Sequence, residues 1–190
     1  MTDARAVLLG VGGGIAAYKA AALTSLLTKR GYTVRVAMTR SAREFVGPLT
    51  FAGLSGRPVI LSSTQVDPDG GVPHIEATQA ASLLVIAPAT ADLLARLAAG
   101  ICDDPVTLAA VACRCPRLLC PAMNDAMWED GTVQRNVAAL RELGYAVLGP
   151  VVGHLAEGYD AIGRMVEPEE IAAEVERRLG GLPGRPPSDA

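Results

Sequence analysis

The run Leu83-Leu84-Val85-Ile86-Ala87 is apolar at every position. A strand with one wet face alternates polar with apolar side chains, so a strand without alternation is covered on both faces. That requirement points to the central strand of a parallel sheet with helices above and below it. Short runs at 6–11, 58–61, 117–120 and 146–148, mostly apolar, and an alternating run at 33–38 supply further strands. Between them, apolar residues recur at helical spacing. Ile15, Tyr18, Ala22, Leu23, Leu26 and Leu27 make one such stripe, and Gly31 ends that helix near Arg30. More helices are expected at 48–54, from 74 to about 79, and at 93–99, 106–113, 132–143 and 168–179. Residues 149–165 are glycine-rich and aperiodic, and read as a mobile lid within a single domain over 1–179. Residues 180–190 are rich in proline and are expected to form a disordered tail.

Composition narrows the function classes. Half of the residues are hydrophobic while only 4% are aromatic, a profile suited to small-residue helices packed on a parallel sheet. The formal net charge is -3 with no basic block, so nucleic acid is not an expected partner. No apolar run reaches the ~18 residues of a membrane span. The start, Met1-Thr2-Asp3-Ala4-Arg5, lacks a signal-peptide layout, and a cytoplasmic protein is expected. Cys102, Cys113, Cys115 and Cys120 lack the histidine or thiol partners of a zinc site. Buried free thiols and no metal are expected.

Chemistry concentrates where strands end. After the first strand come Gly12-Gly13-Gly14 and then a helix. Free N–H groups and the helix dipole make such a turn a ready phosphate site, though a tight strand-to-helix turn reads equally well. It is not a G-x-G-x-x-G fingerprint. Thr39 and Ser41 follow the second strand, where a hydroxyl either caps a helix or holds a phosphate. His74 opens a helix after a Gly/Pro loop, a position where the dipole favours a neutral imidazole base. Pro88-Ala89-Thr90 follows the central strand, with small residues that let a flat ligand approach the backbone. Past the run at 117–120, Pro121-Ala122-Met123-Asn124 presents an amide ahead of Met127 and Trp128. Met127 and Trp128 by themselves read as core packing, whereas Asn124 reads as functional.

These stretches together resemble the flavin-containing cysteine decarboxylases, a family that includes phosphopantothenoylcysteine decarboxylase and the peptidyl-cysteine decarboxylases of lanthipeptide-type biosynthesis. The likeness spans about 6–178. It rests on Gly13-Gly14-Ile15-Ala16-Ala17-Tyr18-Lys19, His74-Ile75-Glu76, Ala87-Pro88-Ala89-Thr90-Ala91-Asp92, Pro121-Ala122-Met123-Asn124 with Met127-Trp128, and Gly163-Arg164-Met165 with Glu167-Pro168. The resemblance implies an α/β, Rossmann-like, flavodoxin-type three-layer fold that binds FMN. It implies that Gly13, Gly14 and Thr39 lie near the phosphate and ribityl chain, and that Ala87, Pro88, Ala89 and Thr90 line the ring. His74 would be the catalytic base. Asn124 and Met123 would hold the substrate carboxylate, with Glu157 and Met165 on the substrate side. It also implies a homo-oligomer, a trimer or a dodecamer built from trimers, with FMN at the contact between subunits.

The chain departs from the family pattern at two places. Gly12 stands where relatives usually carry Ser or Thr. Pantothenate-pathway members carry Ala-Cys-Gly in the lid, and the matching run here is Ala156-Glu157-Gly158. In the coenzyme A enzymes that cysteine is the acid that lets an enethiol intermediate be reduced to the thiol. Its absence leads to the expectation of an oxidative decarboxylase acting on the C-terminal cysteine of a ribosomally made peptide. The product would be an aminoenethiol for an aminovinyl-cysteine ring. The alternative is phosphopantothenoylcysteine decarboxylase with a substituted acid. A non-catalytic flavin-binding subunit is a third reading, disfavoured by the intact His74 and Asn124.

Overall fold

The computed structural model describes residues 5–67 and 70–180. The chain runs β1 (Ala6–Val11), α1 (Ala17–Lys29), β2 (Thr33–Met38), α2 (Ala42–Phe45), α3 (Pro48–Ser55), α4 (Pro73–Ala80), β3 (Leu83–Ala89), α5 (Ala91–Ala99) and α6 (Pro105–Ala112). It continues through β4 (Arg117–Pro121), α7 (Asp125–Glu129), α8 (Gly131–Glu142), β5 (Tyr145–Val147), β6 (Val151–His154), β7 (Asp160–Arg164) and α9 (Pro168–Leu179). The first five strands form one parallel sheet in the order β2-β1-β3-β4-β5. This is the flavodoxin-like order, and its switch point lies between β1 and β3. The tail expected at 180–190 lies outside the described residues except for Gly180.

Strand periodicity builds two cores. Leu83, Val85 and Ala87 of β3 point to one face with Val7, Leu9 and Val11 of β1, and Leu23, Leu27, Ile171 and Val175 cover them. Leu84, Ile86 and Ala89 point to the other face with Leu8, covered by Leu93, Leu94, Val106 and Leu140. Every residue of β3 is buried, as a strand covered on both faces demands. The helices carry their own start and stop signals. Thr90 caps α5 by accepting from the Leu93 amide, and Asp104 with Thr107 forms a capping box on α6. Pro168 opens α9, with Glu169 and Glu170 in its first turn and Arg177 and Arg178 in its last.

The structure corrects the sequence expectations at several places. Helix α1 begins at Ala17, and Ile15 and Tyr18 are 66% and 60% exposed instead of facing the core. The buried stripe is Ala17, Ala20, Leu23, Thr24 and Leu27, because residue 15 belongs to the turn before the helix. Residues 58–61 form a single bridge, Ala37 to Ile60, and not a strand. Pro58 has no N–H to give, and the Leu61 amide donates to the Gln65 side chain at 3.4 Å.

The aperiodic stretch at 149–165 contains an antiparallel hairpin, β6 paired with β7. Its turn is closed by the Leu155 amide donating to the Tyr159 carbonyl at 2.9 Å, with Gly158 at a φ of 91°. The cysteines are free thiols, but of the four expected to be buried only Cys113 and Cys120 are, and Cys102 and Cys115 are part-exposed. The Cys113 and Cys115 thiols lie 2.7 Å apart, and their hydrogen bond lowers the Cys113 thiol pKa.

Gly163 docks the hairpin on the sheet. Its carbonyl accepts from the Met123 amide at 3.1 Å. Its φ is 139°, and a Cβ there would sit 2.2 Å from the Met123 carbonyl oxygen. Gly163→Ala is therefore expected to lower the urea midpoint and cost about 1–3 kcal/mol, the range for strained backbone. Gly131→Ala meets open space and is expected to be neutral or to stabilise by a few tenths up to ~1 kcal/mol. Equal midpoints for the two variants would show that the hairpin is not held at Gly163.

Candidate active site at the carboxyl edge of the sheet

The β1 and β3 ends are drawn together by the Gly12 amide, which donates to the Pro88 carbonyl at 3.1 Å. A Cβ on Gly12 would lie 2.4 Å from that oxygen and 2.7 Å from Leu93 Cδ1. The glycine that departs from the family pattern is thus fitted to its own packing. Beyond this tie the chain turns through Gly13 and Gly14 into α1, whose N-terminus no side chain caps. A Cβ on Gly13 would collide with Ser41, whereas one on Gly14 would meet only Thr90 at ordinary distance. Above the turn lies a cavity of about 360 Å³.

The cavity gathers residues from distant parts of the chain. Gly13, Gly14 and Lys19 come from the β1–α1 turn and helix, and Thr90 from the end of β3. Met123 and Asn124 come from the end of β4, and Glu157, Arg164 and Met165 from the hairpin and its exit. Asn124 caps α7, its Oδ1 accepting from the Ala126 amide at 2.9 Å. Its Nδ2 donates to Glu157 Oε1 at 3.0 Å and to the Tyr159 hydroxyl at 3.1 Å. That hydroxyl donates to Asp125 Oδ1 at 2.7 Å, which holds the Asp125 carboxyl below its ordinary range and pushes the Tyr159 phenol up.

Lys19 is 5% exposed and anchors the base of the hairpin. Its Nζ donates to the Met165 carbonyl and to Glu167 Oε1, both at 3.0 Å. Arg164 pairs with the same carboxylate, and the Lys19 bond keeps the Glu167 carboxyl below its ordinary range.

Of the residues expected at the site, Gly13, Gly14, Thr90, Met123, Asn124, Glu157 and Met165 share this cavity. Ala87, Pro88 and Ala89 are buried in β3 and reach the site through the Pro88 main chain. Thr39 Oγ1 accepts from the Ala42 amide at 3.1 Å, lies 3.2 Å from Ser41 Oγ, and does not line the cavity.

His74 is the second residue of α4, which leads into the start of β3, so this end of the helix lies toward the carboxyl edge of the sheet. It is 7% exposed, its Nδ1 has no partner among the described residues, and it is not part of this cavity. Met127 lines the cavity, whereas Trp128 packs on the core. Lys19 and Tyr159 were not singled out from the sequence for a site role. The signal for Lys19 was a cation in the first turn of a helix whose early residues are otherwise apolar, and for Tyr159 an aromatic in a glycine-rich stretch.

An uncapped helix N-terminus favours a phosphate, and a donor amide favours a carboxylate. Apolar walls from Ala122, Met123 and Met127 suit a flat group between them. Comparisons with known proteins place the chain in a family. The coenzyme A biosynthesis bifunctional protein CoaBC of Vibrio cholerae is 46% identical over 172 residues, covering 90% of this chain. This chain spans only 43% of that relative's length.

Among solved structures, a cysteine-to-serine variant of PPC decarboxylase complexed with pantothenoylaminoethenethiol superposes with a TM-score of 0.82 at 31% identity, covering 90% of this chain and 96% of that one. The FMN-dependent cysteine decarboxylase SpaF superposes with a TM-score of 0.75 at 32% identity, covering 92% and 97%. The flavoprotein family profile matches residues 1–180, and this chain belongs to that family.

Proposed function

We propose that this chain is an FMN-dependent decarboxylase of a cysteine carboxylate, with phosphopantothenoylcysteine as its substrate class. The observation that carries the reading is the Asn124 amide, held at the end of β4 in one cavity with the uncapped α1 N-terminus. The substrate class is supported by the CoaBC likeness along most of the chain. Those relatives favour the coenzyme A reading over the peptide reading that the lid sequence suggests.

A cysteine carboxylate leaves poorly because the electrons of the broken bond have nowhere to go. FMN, when bound, would supply the two-electron acceptor through which a thiocarbonyl sink can form at the thiol carbon. Gly13, Gly14 and the start of α1 would hold the FMN phosphate, and Thr90 would lie on the ring side. Asn124 donates to the carboxylate and fixes the bond to be broken across the thiocarbonyl. His74 accepts the thiol proton. His74 lies outside the cavity, and in this reading a second copy of the chain would supply it. The exposed Ile15, Tyr18 and Met127 beside the cavity offer an apolar surface for that copy.

A second reading is supported by Glu157, which stands where the family's coenzyme A members carry the lid cysteine. Without a thiol acid the reaction ends at the enethiol, and the two electrons taken from the substrate would pass to an external oxidant such as dioxygen, as an oxidative peptide enzyme requires.

Incubation with phosphopantothenoylcysteine, and separately with a cysteine-terminated peptide, distinguishes these endings by product mass. The proposal expects turnover of phosphopantothenoylcysteine, with loss of ~44 Da if the electrons return and ~46 Da if the enethiol leaves. Turnover of the peptide alone would replace the coenzyme A reading with the second one.

The division of the site is tested separately. His74→Asn and Asn124→Asp are each expected to retain flavin and lose turnover. Chains of the two variants, denatured together and reassembled, are expected to recover part of it. No recovery in verified mixed oligomers would place His74 and Asn124 in one subunit's site or remove one from the chemistry.

A further inference from the structure

The hydrogen bonds of Asn124 can be counted to completion. A side-chain amide has two N–H donors on one nitrogen and a carbonyl oxygen that accepts. Here Oδ1 accepts from the Ala126 amide, one donor goes to Glu157 and the other to Tyr159. The hairpin therefore takes both donors of the group assigned above to the substrate carboxylate. A carboxylate arriving at Asn124 finds no free donor until one hairpin contact breaks.

The two contacts are unequal. The Tyr159 hydroxyl is neutral, and it also donates to Asp125 at 2.7 Å, so removing it breaks two hydrogen bonds. Glu157 has no hydrogen-bond partner among the described residues except Asn124, and its side chain is exposed to water that can receive it. It also carries the charge of the incoming group, and two carboxylates at contact distance repel. Exchange at Glu157 is the cheaper route.

We propose that Glu157 is a resident competitor for the substrate carboxylate. It fills the acceptor position on Asn124 in the free chain, and the substrate displaces it while the Tyr159–Asp125 bond keeps the hairpin docked. This rests on Asn124 being the carboxylate site. It makes Glu157 a determinant of specificity: a ligand with no negative charge at that end must displace a charged hydrogen bond and gains only a neutral one in return.

The test uses binding, not turnover. FMN-loaded protein is titrated calorimetrically with N-acetyl-L-serine, a carboxylate probe whose hydroxyl replaces the thiol, and with its carboxamide. Glu157→Ala is expected to bind the carboxylate probe roughly 3- to 30-fold more tightly than the parent, less than the full strength of a hydrogen bond to a charged group because Glu157 is exposed to water. Glu157→Gln, which keeps an acceptor without the charge, should fall between. The carboxamide should gain less than the carboxylate in Glu157→Ala, because only the carboxylate is also relieved of repulsion.

Asn124→Asp separates the inference from its foundation. If the carboxylate probe binds Asn124→Asp as well as the parent, Asn124 is not the carboxylate site and both readings fall. If Asn124→Asp weakens binding yet Glu157→Ala leaves it unchanged or weaker, the site stands and the competitor role is overturned.

Discussion

Burial of β3 on both faces is the constraint from which the rest of the structure follows. Its residues alternate between two cores, and each core needs its own layer of helices. Burying a Leu, Ile or Val side chain contributes about 1.5–3 kcal/mol, so neither face of β3 can be left wet. Helices on both faces require crossover connections, and these make all five central strands parallel. Their carboxyl ends then fall on one edge. The order β2-β1-β3 sends the chain outward from β1 and brings it back beside β1 at β3. The turns after those two strands part in opposite directions, and the crevice between them is where the cavity lies.

Glycines set how closely the walls of that crevice approach. Gly10 lies under Val106, where a Cβ would come within 2.7 Å of a methyl group. Gly12 lets the two turns share a hydrogen bond, and Gly163 lets the hairpin rest on Met123. Lys19 closes the far side through Met165 and Glu167. A buried cation is costly to desolvate, so this ion pair is better understood as positioning the hairpin than as a large source of stability. The chemistry therefore rests on a rigid edge and a hairpin held at defined points.

Much of this was legible in the sequence, because it depends on local signals. The unalternating run at 83–87 announces the central strand, and Gly13, Thr90 and Asn124 each follow a strand end. The hairpin was not legible. Its strands are partly exposed and carry Gly153 and Gly163, so their sequence shows no two-residue period even though β6 alternates in burial. The outward positions of Ile15 and Tyr18 were hidden because helical spacing alone does not say where the helix begins.

The pairing of Asn124 with Glu157 and Tyr159 joins residues 33 and 35 positions apart, which no local pattern encodes. Thr39 shows the converse case. A hydroxyl after a strand suits both a cap and a phosphate, and the bond that Thr39 Oγ1 accepts from the Ala42 amide is compatible with either role.

The central claim is that this edge binds a flavin which drives loss of a cysteine carboxylate. The direct measurement uses phosphopantothenoylcysteine carrying an isotopic carbon in its carboxyl group, with released gas followed by mass spectrometry. The account predicts that FMN-loaded protein releases the label as carbon dioxide, that stripped protein does not, and that added FMN restores release. Label retained in the substrate with flavin fully bound, or released equally without flavin, would contradict it.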